Sequence, residues 1–183
     1  ATTAGYKYSA ADGKAAIDGV TADPATVAAS KTSTDSTVAG SAAAGQTFTL
    51  TTNIDNLVGT AGNDTFVGDA ATTSGGDQVN GGTGTDTLKL FGAAAEPSHK
   101  NIEIIELSGN TVGFDVSDNA AVTTLNLIDP TTAQTYTIAN GVKASVSSVL
   151  ATEAVDFAGN TVTALDLTVS GFGTAAANAT LDL

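Results

Sequence analysis

The feature that most constrains this chain is a nine-residue motif that recurs in phase. Gly81-Gly82-Thr83-Gly84-Thr85-Asp86-Thr87-Leu88-Lys89 follows G-G-x-G-x-D-x-U-x at every specified position, where U is a large apolar residue. Directly before it, Thr72-Thr73-Ser74-Gly75-Gly76-Asp77-Gln78-Val79-Asn80 keeps the fourth-position Gly, the Asp and the apolar residue. Upstream, Gly59-Thr60-Ala61-Gly62-Asn63-Asp64-Thr65-Phe66-Val67 lacks only the second Gly. Asp64, Asp77 and Asp86 therefore share one phase, and Phe66, Val79 and Leu88 share another. An insertion, Gly68 to Ala71, separates the first repeat from the second.

Such a unit has a definite physical shape. Its first part is a tight turn whose glycines permit positive φ and close backbone approach. Its last three residues form a short strand with the apolar residue facing inward. Two units complete one coil, so turns on the same side fall about 18 residues apart in an uninterrupted array. Turn carbonyls and the Asp carboxylate then surround a space between stacked turns, the oxygen-rich setting that Ca²⁺ requires and that suits the small octahedral Mg²⁺ less well. With the insertion, Asp64 and Asp86 are expected on the same side. Asp77 is expected on the other, with Asp69 as its candidate companion. The candidate metal ligands are Asp64, Asp69, Asp77, Asp86 and Asn63, with backbone groups at Gly59, Gly62, Gly82 and Gly84. An Asx turn in a Gly-rich loop uses the same residue type, and Asp55, Asn63 and Asp69 fit that reading equally well.

Composition narrows the function classes. The chain has 183 residues, six Lys, no Arg, 15 Asp and only four Glu, for a formal charge of −13. That balance excludes an electrostatic nucleic-acid surface. The absence of Cys excludes disulfides, thiolate metal sites and thiol catalysis. A single His excludes a two-His catalytic centre and His-rich zinc sites. Ala and Thr make up about a third of the chain and only nine residues are aromatic, so large side chains for a thick core are scarce. No apolar run approaches the roughly 20 residues of a transmembrane helix, and residues 1–20 lack the pattern of a signal peptide. The chain opens on Ala1 and ends in a strand-like pattern, and it reads as a piece of a longer polypeptide.

Along the chain three stretches differ in texture. Residues 1–45 form an irregular N-terminal segment or linker, with a possible strand at Tyr6-Lys7-Tyr8 and short helices or loops at Ala15 to Val20 and Pro24 to Ser30. Residues 46–100 form the repeat region, opened by the period-2 strand Thr47 to Thr51. Residues 101–183 form a Thr/Ala-rich region of short β-type runs. These are Ile102 to Leu107, Val112 to Val116, Val122 to Ile128, Thr135 to Ile138, Ala144 to Leu150, Ala154 to Phe157, Val162 to Val169 and Ala179 to Leu183. Strands this short and this evenly spaced predict an all-β fold, either a sandwich or a solenoid. With the nonapeptides they favour a parallel β-roll or β-solenoid, in which each coil contacts only its neighbours.

The stretches 59–66 and 81–88 resemble the repeats of RTX proteins. Together with Asn101-Ile102-Glu103-Ile104-Ile105-Glu106-Leu107, they resemble bacterial S-layer proteins and related surface proteins exported by type I secretion. The close resemblance covers about residues 46–110. It implies a structural, non-enzymatic component of a bacterial cell-surface layer or extracellular filament, folded and self-assembled with Ca²⁺ outside the cell. Two alternatives stay open. One is an RTX adhesin segment that binds a surface polysaccharide or a host partner. The other is an accessory domain of a secreted enzyme.

The remaining candidates are weaker. His99 follows Pro97-Ser98 in a polar loop with no oriented catalytic partner. Glu103 and Glu106 lie three apart, on opposite faces of a regular strand, which does not make a paired-carboxylate centre. The Thr-x-Thr pairs lack the constant period of an ice-binding array and suit a solvated β-face. Asp156, Asp166 and Asp182 occupy strand-like contexts where outward carboxylates resist edge pairing.

Overall fold

The computed structural model describes residues 27, 44–130, 133–148, 154–159, 165–171 and 180–182. Among the described residues from 44 onward the elements are thirteen short strands. The first seven are β1 (Thr47–Thr49), β2 (Asn56–Val58), β3 (Thr65–Asp69), β4 (Gln78–Asn80), β5 (Thr87–Phe91), β6 (Ser98–Lys100) and β7 (Ile104–Ser108). They are followed by β8 (Thr124–Ile128), β9 (Gln134–Thr137), β10 (Lys143–Ser147), β11 (Ala154–Ala158), β12 (Asp166–Ser170) and β13 (Thr180–Asp182).

Every pairing is parallel, which requires a crossover between paired strands. Here the crossover is a corner plus another short strand, or between β7 and β8 a single bridge residue, Asp115, so the chain winds into a β-solenoid. One sheet runs β1-β3-β5-β7-β8-β10-β12, making six coil-to-coil steps. The second face is divided between two three-stranded sheets, β2-β4-β6 and β9-β11-β13. The long sheet crosses the boundary expected at residue 100 without a break, because β5 pairs with β7 across it.

Alternation of side chains explains why these segments stack. In β3, β5, β7 and β8 the inward positions are buried and the outward ones are not. Parallel register then superimposes like on like: Phe48, Phe66, Leu88, Ile105, Leu125, Ala144 and Leu167 form one continuous column. The steps along it are 18, 22, 17, 20, 19 and 23 residues, so corners absorb length changes while the strands keep register. Phe48 and Phe66 stack with ring centroids 4.9 Å apart. Full burial of each large side chain in the column contributes about 1.5–3 kcal/mol. The thin core is therefore a stack of single residues, and each coil depends on the coils above and below it.

The structure revises several sequence expectations. Val112 to Val116 is not a strand: only Asp115 bridges, to Thr137. Gly113 lies so close to Thr135 that a Cβ would overlap its carbonyl oxygen, and Asp115 then turns the chain by accepting the Ser117 N–H. β2 and β6 were not legible, since each is only three residues long with a single inward side chain, Leu57 in one and the polar His99 in the other. His99 is not in a loop but is the buried central residue of β6, paired in register with Val79. The expected elements within residues 1–43 lie outside the described residues, apart from Val27, as does the start of the Val162 to Val169 run. No helix among the described residues is long and apolar enough to cross a membrane.

Candidate functional site

The corners preceding β3 and β5 carry Asp64 and Asp86, and the pairing of Thr65 with Thr87 stacks them. Their carboxylates reach back one coil. Asp86 Oδ1 accepts the Asp64 N–H at 2.7 Å, and Asp64 Oδ1 accepts the Gln46 N–H at 2.7 Å. Glu103 Oε2 continues the column by accepting the Asp86 N–H at 2.7 Å. On the other side of the coil, Asp77 Oδ1 accepts the Asp55 N–H at 3.0 Å. Asp64, Asp77 and Asp86 are all buried, at 1%, 0% and 0% exposure. The repeated Asp is thus a staple between coils.

The second carboxylate oxygen closes the residue's own corner. Asp64 Oδ2 accepts the Thr60 N–H, and Thr60 Oγ1 donates to both Asp64 oxygens at 3.0 and 3.1 Å. Asp77 Oδ2 accepts the Ser74 N–H at 2.7 Å. Asp55 does the same for Thr51, with Oδ2 accepting its N–H at 2.6 Å. A buried carboxylate with both oxygens occupied by donors is stable as an anion.

Asp86 departs from this pattern. Gly82 stands where Thr60 stands one coil earlier, so no hydroxyl is available at that position. Gly82 also adopts φ of 99°, a left-handed conformation that favours glycine. Asp86 Oδ2 is left buried without a hydrogen-bond partner. An orphaned buried acceptor destabilises by about 1–3 kcal/mol. Burial, reinforced by the Asp64 and Glu103 carboxylates, pushes the Asp86 pKa up, against the opposing effect of the Asp64 N–H bond.

The backbone of this corner is tightly stacked on the corner before it. A Cβ on Gly82 would come within 2.5 Å of the Thr60 carbonyl oxygen. One on Gly84 would come within 2.5 Å of the Gly62 carbonyl oxygen and 3.2 Å of Asn63 Oδ1. A Cβ on Gly59 would overlap the Gly81 carbonyl oxygen. Asn63 Oδ1 accepts the Thr85 N–H at 2.9 Å. Gly59, Gly62, Asn63, Asp64, Gly82, Gly84 and Asp86 are therefore brought together, as the phase predicts. Asp77 lies on the other side.

Asp69 does not join Asp77. Residues 68 and 69 extend β3, and the rest of the insertion is absorbed in a turn where the Thr73 N–H donates to the Asp69 carbonyl at 2.9 Å. The exposed Asp69 carboxylate accepts N–H bonds from Ala71 and Thr72, which hold its pKa below the ordinary value. Two participants escaped sequence reasoning, Thr60 and Glu103. Glu103 follows Asp86 by 17 residues, one coil length, and that spacing was the available signal. Glu106 faces away and pairs with Lys89 at 2.5 Å, so the two Glu do not converge.

As a metal site the corner has a particular donor set. Among the described residues no three His, Asp or Glu side chains converge to hold an ion. The fit rests on one unpartnered carboxylate oxygen in a corner whose backbone stacks closely on the corner before it. This all-oxygen set suits a hard cation rather than an imidazole-seeking transition metal. Comparison with known protein families, with curated proteins and with solved structures finds no match for this chain.

Proposed function

We propose that this chain is a structural segment of a bacterial cell-surface layer or extracellular filament, a β-solenoid that folds and assembles with Ca²⁺. One observation carries the calcium part. The single repeat that fits the nonapeptide in full is the one whose Asp keeps a buried oxygen without a donor. Asp86, with carbonyl groups of the corners at 59–64 and 81–86, would hold the ion. When bound, calcium supplies the positive charge that the Asp64, Asp86 and Glu103 column lacks. The resemblance to RTX-type surface proteins supports the same reading.

A ligand that binds only the folded corners shifts folding toward them. Where calcium is scarce the carboxylate column repels itself, and where calcium is plentiful the coils close. Thermal melts followed by circular dichroism test this directly. The expected result is a melting temperature that rises with Ca²⁺, rises less with Mg²⁺ and falls with a chelator. A melting temperature indifferent to the chelator overturns the calcium reading. Electron microscopy in calcium-containing buffer tests assembly, with sheets or filaments expected and monodisperse particles counting against it.

The adhesin alternative has one feature in its favour. The outer face of β2-β4-β6 forms a groove lined by Asn56, Gln78, Asn80, Ser98 and Lys100, side chains able to bond sugar hydroxyls, together with Val58 and Val79. Retention on an immobilised surface polysaccharide, lost on substitution of Gln78 and Asn80, would favour it over self-assembly.

A further inference from the structure

The three carboxylates of the corner column do not use their oxygens alike. Asp64 and Asp86 each reach back one coil with Oδ1, and Glu103 does so with Oε2. Asp64 Oδ2 then takes the Thr60 N–H and hydroxyl. Asp86 Oδ2 is buried without a donor, and Glu103 Oε1 takes no hydrogen bond among the described residues. The backbones of these two residues are tied as well, because the Glu103 and Ile104 N–H groups both donate to the Asp86 carbonyl, at 3.2 and 3.0 Å. Two carboxylate oxygens without donors thus belong to adjacent coils of one column.

A third oxygen faces the same place. A Cβ on Gly81 would lie 2.4 Å from Asp86 Oδ2 and 1.9 Å from the Asn101 carbonyl oxygen. The two oxygens therefore reach one point beside Gly81, which only a residue without a side chain leaves open. Asn101 stands one coil after Gly81 and holds φ of 50°, a left-handed conformation that Asn tolerates better than most residues. The same geometry recurs one coil earlier, where a Cβ on Gly59 would lie 2.5 Å from Asp64 Oδ2 and 2.0 Å from the Gly81 carbonyl oxygen. There the Thr60 donors sit on the carboxylate. At Asp86 no described residue does.

We infer that the following coil completes the calcium corner: the Asn101 carbonyl and the Glu103 carboxylate join Asp86 as ligands, so that binding ties the nonapeptide coils to the coils after residue 100. This rests on the calcium reading above and adds to it the residues beyond the repeats that hold the ion. Oxygens gathered without donors repel one another, and a hard cation that takes about six to eight oxygens relieves all of them at once. A second carboxylate also matches the charge of a divalent ion, which Asp86 alone does not. The corner between β6 and β7 has three residues, against six between β4 and β5, and Glu, one methylene longer than Asp, carries its carboxylate back across it. Calcium would act where β5 pairs with β7 and the long sheet passes out of the repeat region.

The test titrates the full chain, stripped with chelator, with Ca²⁺ in a calorimeter. Asp86→Asn should abolish binding. Glu103→Gln keeps an oxygen that accepts the Asp86 N–H but loses the charge, and it should weaken Ca²⁺ binding by about tenfold or more. Glu106→Gln removes a charge from the outer face of the same strand and should change binding by less than about twofold. In chelator the melting temperature of Glu103→Gln should equal or exceed that of the native chain, which separates a lost ligand from a lost staple; a lower one overturns the inference. Equal weakening by Glu106→Gln and Glu103→Gln overturns it too, since the effect would then be one of general charge. Native binding that Asp86→Asn abolishes and Glu103→Gln leaves within about twofold overturns this inference and leaves the calcium reading intact. A native chain that binds no Ca²⁺ overturns the calcium reading and this inference with it.

Discussion

Asp64 and Asp86 sit one coil apart at equivalent corners, and they solve the same problem differently. Asp64 is saturated: the N–H of Gln46 reaches one oxygen, and Thr60 supplies its N–H and hydroxyl. Asp86 reaches the Asp64 N–H with one oxygen and leaves the other buried and empty-handed. The imperfect repeat is self-sufficient because it replaces a glycine with Thr60. The perfect repeat keeps Gly82, gains a left-handed corner and loses a donor. Fidelity to the motif therefore creates a need that the chain itself does not meet, and degeneration of the motif removes it.

The largest effects lie behind these two corners, in the core they share. Phe66→Ala and Leu88→Ala each remove a fully buried side chain and should destabilise by about 3–5 and about 2–5 kcal/mol respectively. Denaturant unfolding should stay a single transition in both variants. Two separable transitions would mean that the corners belong to independent units and are not comparable. Next comes the backbone. Gly82→Ala forces a Cβ into a left-handed residue against the Thr60 carbonyl and should destabilise by about 1–3 kcal/mol.

The carboxylates themselves give the sharpest contrast. Asp64→Asn replaces an acceptor that has donors on both oxygens, so it should destabilise by about 1–3 kcal/mol with or without calcium. Asp86→Asn in the presence of chelator should change stability by less than about 1 kcal/mol, since it removes a buried charge with an oxygen to spare. In calcium the same variant should lose the metal-dependent rise in melting temperature. The reverse order, with Asp64 carrying the calcium response, breaks the comparison. The smallest effect belongs to the outer face, where Lys89→Ala removes the partly exposed pair with Glu106 at about 0.2–1 kcal/mol.

Legibility followed the range of the interactions. Repeat phase placed β3, β4 and β5 and the inward Phe66, Val79 and Leu88, because strand alternation and the turn glycines are properties of neighbouring residues. It also put Asp64 and Asp86 together and Asp77 across from them. It failed where one residue decided a strand. β6 is set by His99 stacking on Val79, and polar neighbours hide that pairing. It failed in the opposite sense at Val112 to Val116, where apolar alternation predicts a strand but the close approach of Gly113 to Thr135 permits only a bridge. The proposed companionship of Asp69 and Asp77 failed because an insertion lengthened β3 rather than adding a corner.

The sequence by itself determined the winding: its nine-residue phase, its inward apolar residue and its glycine corners leave a parallel solenoid as the consistent solution. Only the tertiary structure decided what each carboxylate does. One donor to each of Asp64, Asp77 and Asp86 comes from the preceding coil, 18 to 22 residues away. Whether an oxygen finds a second donor depends on the shape of a single corner. The same holds between the sheets β2-β4-β6 and β9-β11-β13, where the Glu96 carboxylate takes the Asp115 N–H at a separation of 19 residues.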